Sequence, residues 1–225
     1  MTPQKGRRVY DHIVREGIRD VIELGTAYGV SASYMAAAVE ETHGHVTTID
    51  RADFPYAPSA RDVVGRAGLE DHVTFVRSNH SSYNWYLANE IASRSDKHGN
   101  CEPAYDFCYI DGAHDFHIDG LAFFLIAKLL RPGGWVLFDD LDWTFANTSH
   151  TPPLALSAEE AATPHVRLIF DVLVKQHPEF SGFMIEDDEW AWAQKARADV
   201  RTLQLETTKS FRSVLVSASR RLARR

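Results

Sequence analysis

The feature that most limits the fold is an alternation of short apolar runs with helical spacing, strand then helix, five times over between residues 20 and 138. A helix over 7–17 ends at Gly17, a buried strand over 20–24 (DVIEL) stops at Gly25, and a helix with small residues on one face follows over 31–41. Further strands are predicted over 46–50, 73–76, 106–110 and 135–138, separated by helices over 59–67, 82–95 and 116–130. Arg131-Pro132-Gly133-Gly134 closes the last of these helices, and Asp139-Asp140 bounds the fifth strand. Strands this short, each followed by a helix, cannot pair as hairpins, so they form a parallel sheet with helices on both faces. Ligands then bind at the carboxyl ends of the strands. A further helix over 165–176 precedes apolar runs over 183–186 and 190–194 around Asp187-Asp188, which is a hairpin signal. The expected fold is thus α/β and Rossmann-like, with a parallel core finishing on an antiparallel strand. Trp190 and Trp192 alternate in the hairpin and share one face, as core or interface residues.

The 225 residues, 44% of them hydrophobic, suffice for one large core or two small ones, and the alternation favours one domain over 1–195. Net charge is −7, which excludes a whole-molecule basic field for gripping nucleic acid. Residues 196–225 carry eight Arg and Lys against Asp199 and Glu206, and apolar residues Leu203, Phe211, Leu215 and Leu222 at helical spacing, so a basic C-terminal helix or tail is expected to dock on the acidic body of a second subunit in a homo-oligomer such as a dimer. No secretory h-region follows the basic start, the longest apolar stretch contains Lys128, and the two cysteines, Cys101 and Cys108, are too few for a disulfide framework. A cytoplasmic protein without a membrane span is the expectation.

Two signals point to a nucleoside-like ligand. Gly25 and Gly29, between strand one and the next helix, let the chain turn tightly against a ligand facing the helix amino end. The GxxxG spacing lacks the GxGxxG order, and no Lys is placed to hold phosphates, which lowers the claim of pyrophosphate ligands. One strand later Asp50 stands where an acid accepts both hydroxyls of a ribose. A glycine turn needed only for packing and a solvated strand-end carboxylate are the bland alternatives.

The runs VIELGTAYGVS, VTTID, GRAGLEDHVTFVRS and YDFCYIDGAHDFHIDGLAFFLIAKLLRPGGWVLFDD resemble class I S-adenosylmethionine-dependent methyltransferases over about residues 18–195. IDGAH and RPGGWVLFDD are the most specific part, and within the class the chain is most similar to small metal-dependent O-methyltransferases of the macrocin type, which methylate sugar hydroxyls. The resemblance implies a mostly parallel seven-stranded sheet with a C-terminal antiparallel hairpin strand. It places Glu23, Gly25, Thr26, Gly29 and Ser31 on the methionine and ribose side of the cofactor, Asp50 on the ribose, Ser78, Asn79 and His80 near adenine, and Asp111 beside the cofactor. Asn79-His80 departs from the family's more usual acid or serine.

Asp111, just past strand four, and Asp139 and Asp140, just past strand five, converge if those strands are neighbours. Three anions repel one another unless a cation or protons intervene, and an all-oxygen set suits a hard divalent ion, Mg²⁺ first. The resemblance implies the same three ligands. The alternative is that Asp139 caps the following segment and Asp140 is solvated. His114, three residues after Asp111, is placed to take a hydroxyl proton, or else to cap the next helix or support Asp111. His117 has a weaker claim, His150 reaches the site if its segment folds back, and Asp111 is itself a candidate base. Residues 141–164 form a lid or substrate wall, in which Trp143 offers a stacking face to the substrate or packs the lid. Together these readings predict a Mg²⁺-dependent transfer of a methyl group from S-adenosylmethionine to a hydroxyl of a sugar or oligosaccharide, with a catechol-like phenol as the alternative acceptor. A dinucleotide-dependent oxidoreductase and a noncatalytic cofactor-binding module are the rival classes.

Overall fold

A computed structural model describes residues 1–51, 56–149, 151–152 and 154–196. The expected tail and His150 lie outside the described residues. Seven strands form one sheet: β1 (Asp20–Leu24), β2 (His45–Arg51), β3 (Val73–Ser78), β4 (Tyr105–Ile110), β5 (Leu130–Phe138), β6 (Phe180–Glu186) and β7 (Trp190–Lys195), in the order β3-β2-β1-β4-β5-β7-β6. The first five are mutually parallel, and β7, inserted between β5 and β6, is antiparallel to both. This is the predicted parallel core ending on one reversed strand.

The helices divide between the two faces. α1 (Pro3–Glu16), α2 (Val30–Glu41) and α3 (Ala60–Arg66) bury Val9, Ile13, Met35, Val39 and Val64 with Val21, Val46 and Leu137. The opposite face carries α4 (Asn84–Arg94), α5 (Phe116–Leu129) and α7 (His165–Ile169), with α6 (Ala158–Ala162) a short helix in the connection before α7. There Leu87, Phe123, Ile126, Ile169 and Phe170 pack on Ile22, Cys108, Ile110 and Phe138. Trp190 and Trp192 belong to the first of these cores, as their shared face predicted.

Several boundaries differ from the sequence reading, β6 for one starting at Phe180 rather than at 183. α1 starts four residues early, because Thr2 caps it by accepting from the Lys5 N–H and Pro3 sits in its first turn, where no N–H is needed. β5 begins at Leu130 rather than Trp135: the chain pairs Tyr105 with Leu130, then shifts register before Phe107 pairs with Trp135. Arg131-Pro132-Gly133-Gly134 therefore lies within an irregular stretch of strand, where Pro and Gly are tolerated, instead of forming a loop. The expected helix over 165–176 is α-helical only to Ile169 and continues as a π-turn over Phe170–Val174.

Register aligns the strand ends into a crest. Leu24 lies opposite Ile49 and Ile110, and Ile110 opposite Phe138. The residues that follow are stitched in sequence: Gly25 N–H donates to Ile49 C=O (2.9 Å), Asp111 N–H to Leu24 C=O (2.9 Å) and Asp139 N–H to Ile110 C=O (3.1 Å). Gly25, Asp50, Asp111 and Asp139 thus emerge side by side at the carboxyl edge of the sheet.

Candidate active site

The turn after β1 is built for close approach. Gly25 has φ +105° and Gly29 φ +77°; a Cβ on Gly25 would overlap the Asp111 carbonyl, and one on Gly29 would stand 2.8 Å from the Ala60 Cβ. Asp50 closes the turn from β2, accepting from Ala27 N–H through Oδ2 (2.7 Å) and from Arg51 N–H through Oδ1 (2.7 Å). Behind the turn lies a buried chain of hydroxyls: Thr48 Oγ1 donates to Glu23 Oε2 (2.5 Å), which leaves Thr26 Oγ1 to donate to Thr48 Oγ1 (2.6 Å). Glu23 is fully buried, and burial pushes its carboxyl up to about 8 against the pull of the Ser31 and Thr48 hydroxyls. Its Oε1 is buried without a hydrogen-bond partner. A backbone cradle with no room for side chains, a strand-end carboxylate and an unsatisfied buried oxygen suit the ribose and amino-acid portion of S-adenosylmethionine. Ser78 is buried at the end of β3 and accepts from His80 N–H, while the exposed His80 ring lies 5.6 Å from that of Trp85. Tyr28, half exposed on the glycine turn, packs its ring 4.7 Å from that of Tyr56, an aromatic pair with no sequence spacing to announce it.

The acids divide differently from expectation. His114 Nε2 stands 3.2 Å from Asp140 Oδ2 and 3.7 Å from Asp111 Oδ1, and these three side chains offer ligand atoms within 4.8 Å of one another. Asp139, expected in that trio, turns into the core and is 3% exposed. Its Oδ1 accepts from Trp190 Nε1 (2.7 Å), Asp140 N–H (2.8 Å) and Lys5 Nζ (3.1 Å), and its Oδ2 from the Tyr109 hydroxyl. Lys5 also pairs with Glu189 at 2.7 Å. A carboxylate this fully engaged fixes the Asp140 turn, where Asp140 takes φ +58°. Nothing near Asp139 along the chain marks this role, since the side-chain donors come from α1, β4 and β7.

Charges within the trio are mutually adjusted. Burial and the neighbouring Asp139 raise the Asp111 carboxyl, with His114 pulling the other way. Burial alone would lower His114, but Asp140 and Asp111 outweigh it and raise the imidazole. The His114 ring beside Asp140 holds that carboxyl below its usual range. His114 Nε2 nevertheless lacks a well-aligned hydrogen bond. Two carboxylates and one imidazole facing a common point suit a divalent cation, or a proton shared among them. Trp143 packs against His114, ring centroids 4.8 Å apart and planes 34° apart, and meets Phe145 edge-on at 4.7 Å. It therefore walls the site beside His114. The segment 141–164 is anchored at its start by buried Leu141 and by Arg167 on Asp142 (2.7 Å). His117 points outward and is exposed, next to Asp115 at 3.5 Å.

Residues 22–141 match the family described as a methyltransferase domain. Among solved structures, an O-methyltransferase from Bacillus cereus in complex with SAH is 22% identical, covering 87% of this chain and 82% of that chain with a TM-score of 0.62. The O-methyltransferase of tomaymycin synthesis from Streptomyces achromogenes, in complex with SAM, is 17% identical over 87% and 81% of the two chains, TM-score 0.61. A SAH-bound methyltransferase from Podospora anserina is 14% identical over 87% and 79%, TM-score 0.63. These likenesses show a common fold. No curated protein matches the sequence.

Proposed function

The chain belongs to the methyltransferase-domain family, and from that premise we propose that it transfers the methyl group of S-adenosylmethionine to a hydroxyl oxygen with the help of a divalent cation. The observation that carries this reading is the meeting of His114 with Asp111 and Asp140 on the same strand-end crest as the Gly25 turn. Glu23, Gly25, Thr26, Gly29 and Ser31 would hold the methionine and ribose portions, Asp50 the ribose hydroxyls, and Ser78, Asn79 and His80 the adenine. The bound donor supplies a sulfonium methyl, given up by in-line displacement. Asp111 and Asp140 would hold a hard cation such as Mg²⁺, which supplies Lewis acidity toward an acceptor oxygen. Asp139 steadies Asp140 from behind. His114 takes the hydroxyl proton, and Trp143 keeps one side of the base dry.

We assign the acceptor to the sugar or saccharide hydroxyls: Trp143 offers a ring wall next to His114, and the polar Asn147, Thr148 and Ser149 follow it in the same segment. The two free thiols, Cys101 and Cys108, support a reducing, cytoplasmic setting.

The test combines binding and turnover. SAH should bind the wild-type protein and bind Asp50→Ala much more weakly by calorimetry. An acceptor screen of sugars and catechols, read by homocysteine release, identifies the substrate class; turnover of catechols alone would move the acceptor to phenols. EDTA should abolish turnover and leave SAH affinity nearly unchanged. His114→Ala should still bind SAH and Mn²⁺ but lose on the order of 10²–10⁴ in kcat. Loss of Mn²⁺ binding together with turnover would make His114 a ligand instead, and activity within a few-fold of wild type would leave Asp111 as the base.

A further inference from the structure

We propose that Asp119, together with Tyr83, is a positioning residue that clamps the 111–115 loop and so fixes the direction of the His114 imidazole. This inference rests on His114 being the base. Asp119 sits one turn into α5, is 1% exposed, and faces the loop that leaves β4. The backbone N–H groups of three consecutive residues, Ala113, His114 and Asp115, lie toward its carboxylate and pull it down against the rise that burial causes. The Tyr83 hydroxyl, at the start of α4, donates to Asp119 Oδ1, and the Ala113 N–H reaches the same hydroxyl at 3.3 Å. The loop also runs hard against the Tyr83 ring: a Cβ on Gly112 would stand 2.7 Å from its Cε1.

One carboxylate therefore ties together α4, α5 and the loop that presents the base. The restraint has a reason in the backbone. His114 adopts φ +54°, a left-handed conformation that a residue with a side chain leaves readily unless its surroundings impose it. The Tyr83–Asp119 pair imposes it: the Ala113 N–H is held on the Tyr83 hydroxyl, that hydroxyl on Asp119, and Gly112 against the Tyr83 ring, so rotation of the loop would break the anchor on the residue before His114. The outward face of the loop then delivers the imidazole to Asp140 and against Trp143. Asp115, next in sequence, turns its Oδ1 to the His117 and Ile118 N–H groups at the start of its own helix. The Asp119 carboxylate is buried on the core side of the loop, with the Tyr83 hydroxyl on its Oδ1, so it touches no substrate.

The experiment uses the full chain as wild type, Asp119→Asn, Tyr83→Phe, His114→Ala and the Asp119→Asn/His114→Ala pair. An amide at 119 turns an N–H₂ group toward N–H donors, so the loop loses part of its anchor while side-chain size is kept. Asp119→Asn is expected to lower kcat about 10²-fold, the loss that a misplacement of about 1 Å brings, with SAH affinity within about twofold of wild type. In the His114→Ala background the same change should cost less than about twofold, because the residue acts through the histidine. Full additivity of the two losses would overturn the proposal and leave Asp119 a structural residue. Should Asp119→Asn fail to fold, Tyr83→Phe keeps the ring against Gly112, removes only the hydroxyl, and is expected to lose three- to tenfold in kcat; unchanged kcat there also overturns it. The His114 ring signal by NMR gives a readout free of turnover. It should move in Asp119→Asn or Tyr83→Phe while the signals of His12 and His165 stay in place, and an unmoved His114 signal refutes the clamp. If the wild-type protein turns over no hydroxyl acceptor, the proposed reaction falls, and the NMR comparison alone decides the clamp.

Discussion

Glu23→Gln makes the buried acid behind the glycine turn measurable. An exposed glutamate titrates near 4.3–4.5, whereas Glu23 is pushed by burial up to about 8. The folded protein therefore keeps a proton that the unfolded chain gives up, and stability is full below about pH 4.5 and drains as pH rises through 8. At about 1.4 kcal/mol per pH unit, the loss reaches roughly 3 kcal/mol at pH 7 and roughly 5 kcal/mol above pH 8, as an upper bound before the site relaxes. Glutamine has no proton to lose. Its carbonyl still accepts from Thr48, so the variant should match wild type near pH 4.5 and exceed it by several kcal/mol at pH 8.5. Urea unfolding at half-unit intervals between pH 4.5 and 8.5 reads this directly. Parallel curves for the two proteins would show that Glu23 is ionised in the fold and that the reasoning from burial is wrong. The same charge logic reaches the ligand: S-adenosylmethionine carries a positive sulfonium that SAH lacks, so its binding should release more protons, measured by calorimetry in buffers of different ionisation enthalpy.

Two further predictions concern the supports of the site. Asp139→Ala strips the acceptor from Trp190, Tyr109 and Lys5 and from the Asp140 N–H, so stability should fall by about 3–5 kcal/mol and turnover should vanish. Glu189→Gln, which touches Lys5 but not Asp140, should keep both, and an Asp139→Ala protein as stable as wild type in thermal unfolding would refute the hub. His12 is buried among Phe107, Trp135 and Trp192, with ring centroids 4.6–6.0 Å away. Burial lowers it to about 4, with nearby Arg15 adding to the effect, so stability is complete above about pH 6.5 and falls by about 3 kcal/mol as pH drops to 4. His12→Leu should remove that share of acid sensitivity in denaturant titrations; an unchanged acid slope would show that His12 does not contribute it.

What the sequence made legible is what depends on neighbours along the chain. β1 was readable to the residue because DVIEL is an apolar run stopped by Gly25, and the crest followed because strand–helix alternation permits only parallel pairing. The Thr2-Pro3 cap of α1 was present in the sequence as well, and a search for N-terminal signals ahead of the apolar spacing finds it. Long-range partnerships were not legible. Asp139 looks like Asp140 in sequence, and only α1, 134 residues away, and β7, 51 residues away, separate the engaged carboxylate from the open one. Asp119 reads as an ordinary charge in the first turn of a helix, because nothing local shows that three loop amides point at it. Arg131-Pro132-Gly133-Gly134 was misleading because breakers mark loops in general, while a bulged strand start admits them.

The insertion of β7 between β5 and β6 has a kinetic consequence. The strand that completes the sheet is, among the described residues, the last one made, and it must enter a slot whose far wall, β6, pairs with no other described strand until β7 arrives. A growing chain can lay down β1 to β5 and still lack the Trp190 indole on which Asp139 depends. The final contacts span long stretches of sequence, and closing such contacts is the slow part of folding. The two halves of the crest should therefore mature at different times, the glycine-turn half early and the acidic half only after the closing strand docks. In pulse-labelling exchange, amides of β1, β2 and β4 should gain protection ahead of those at 138–141.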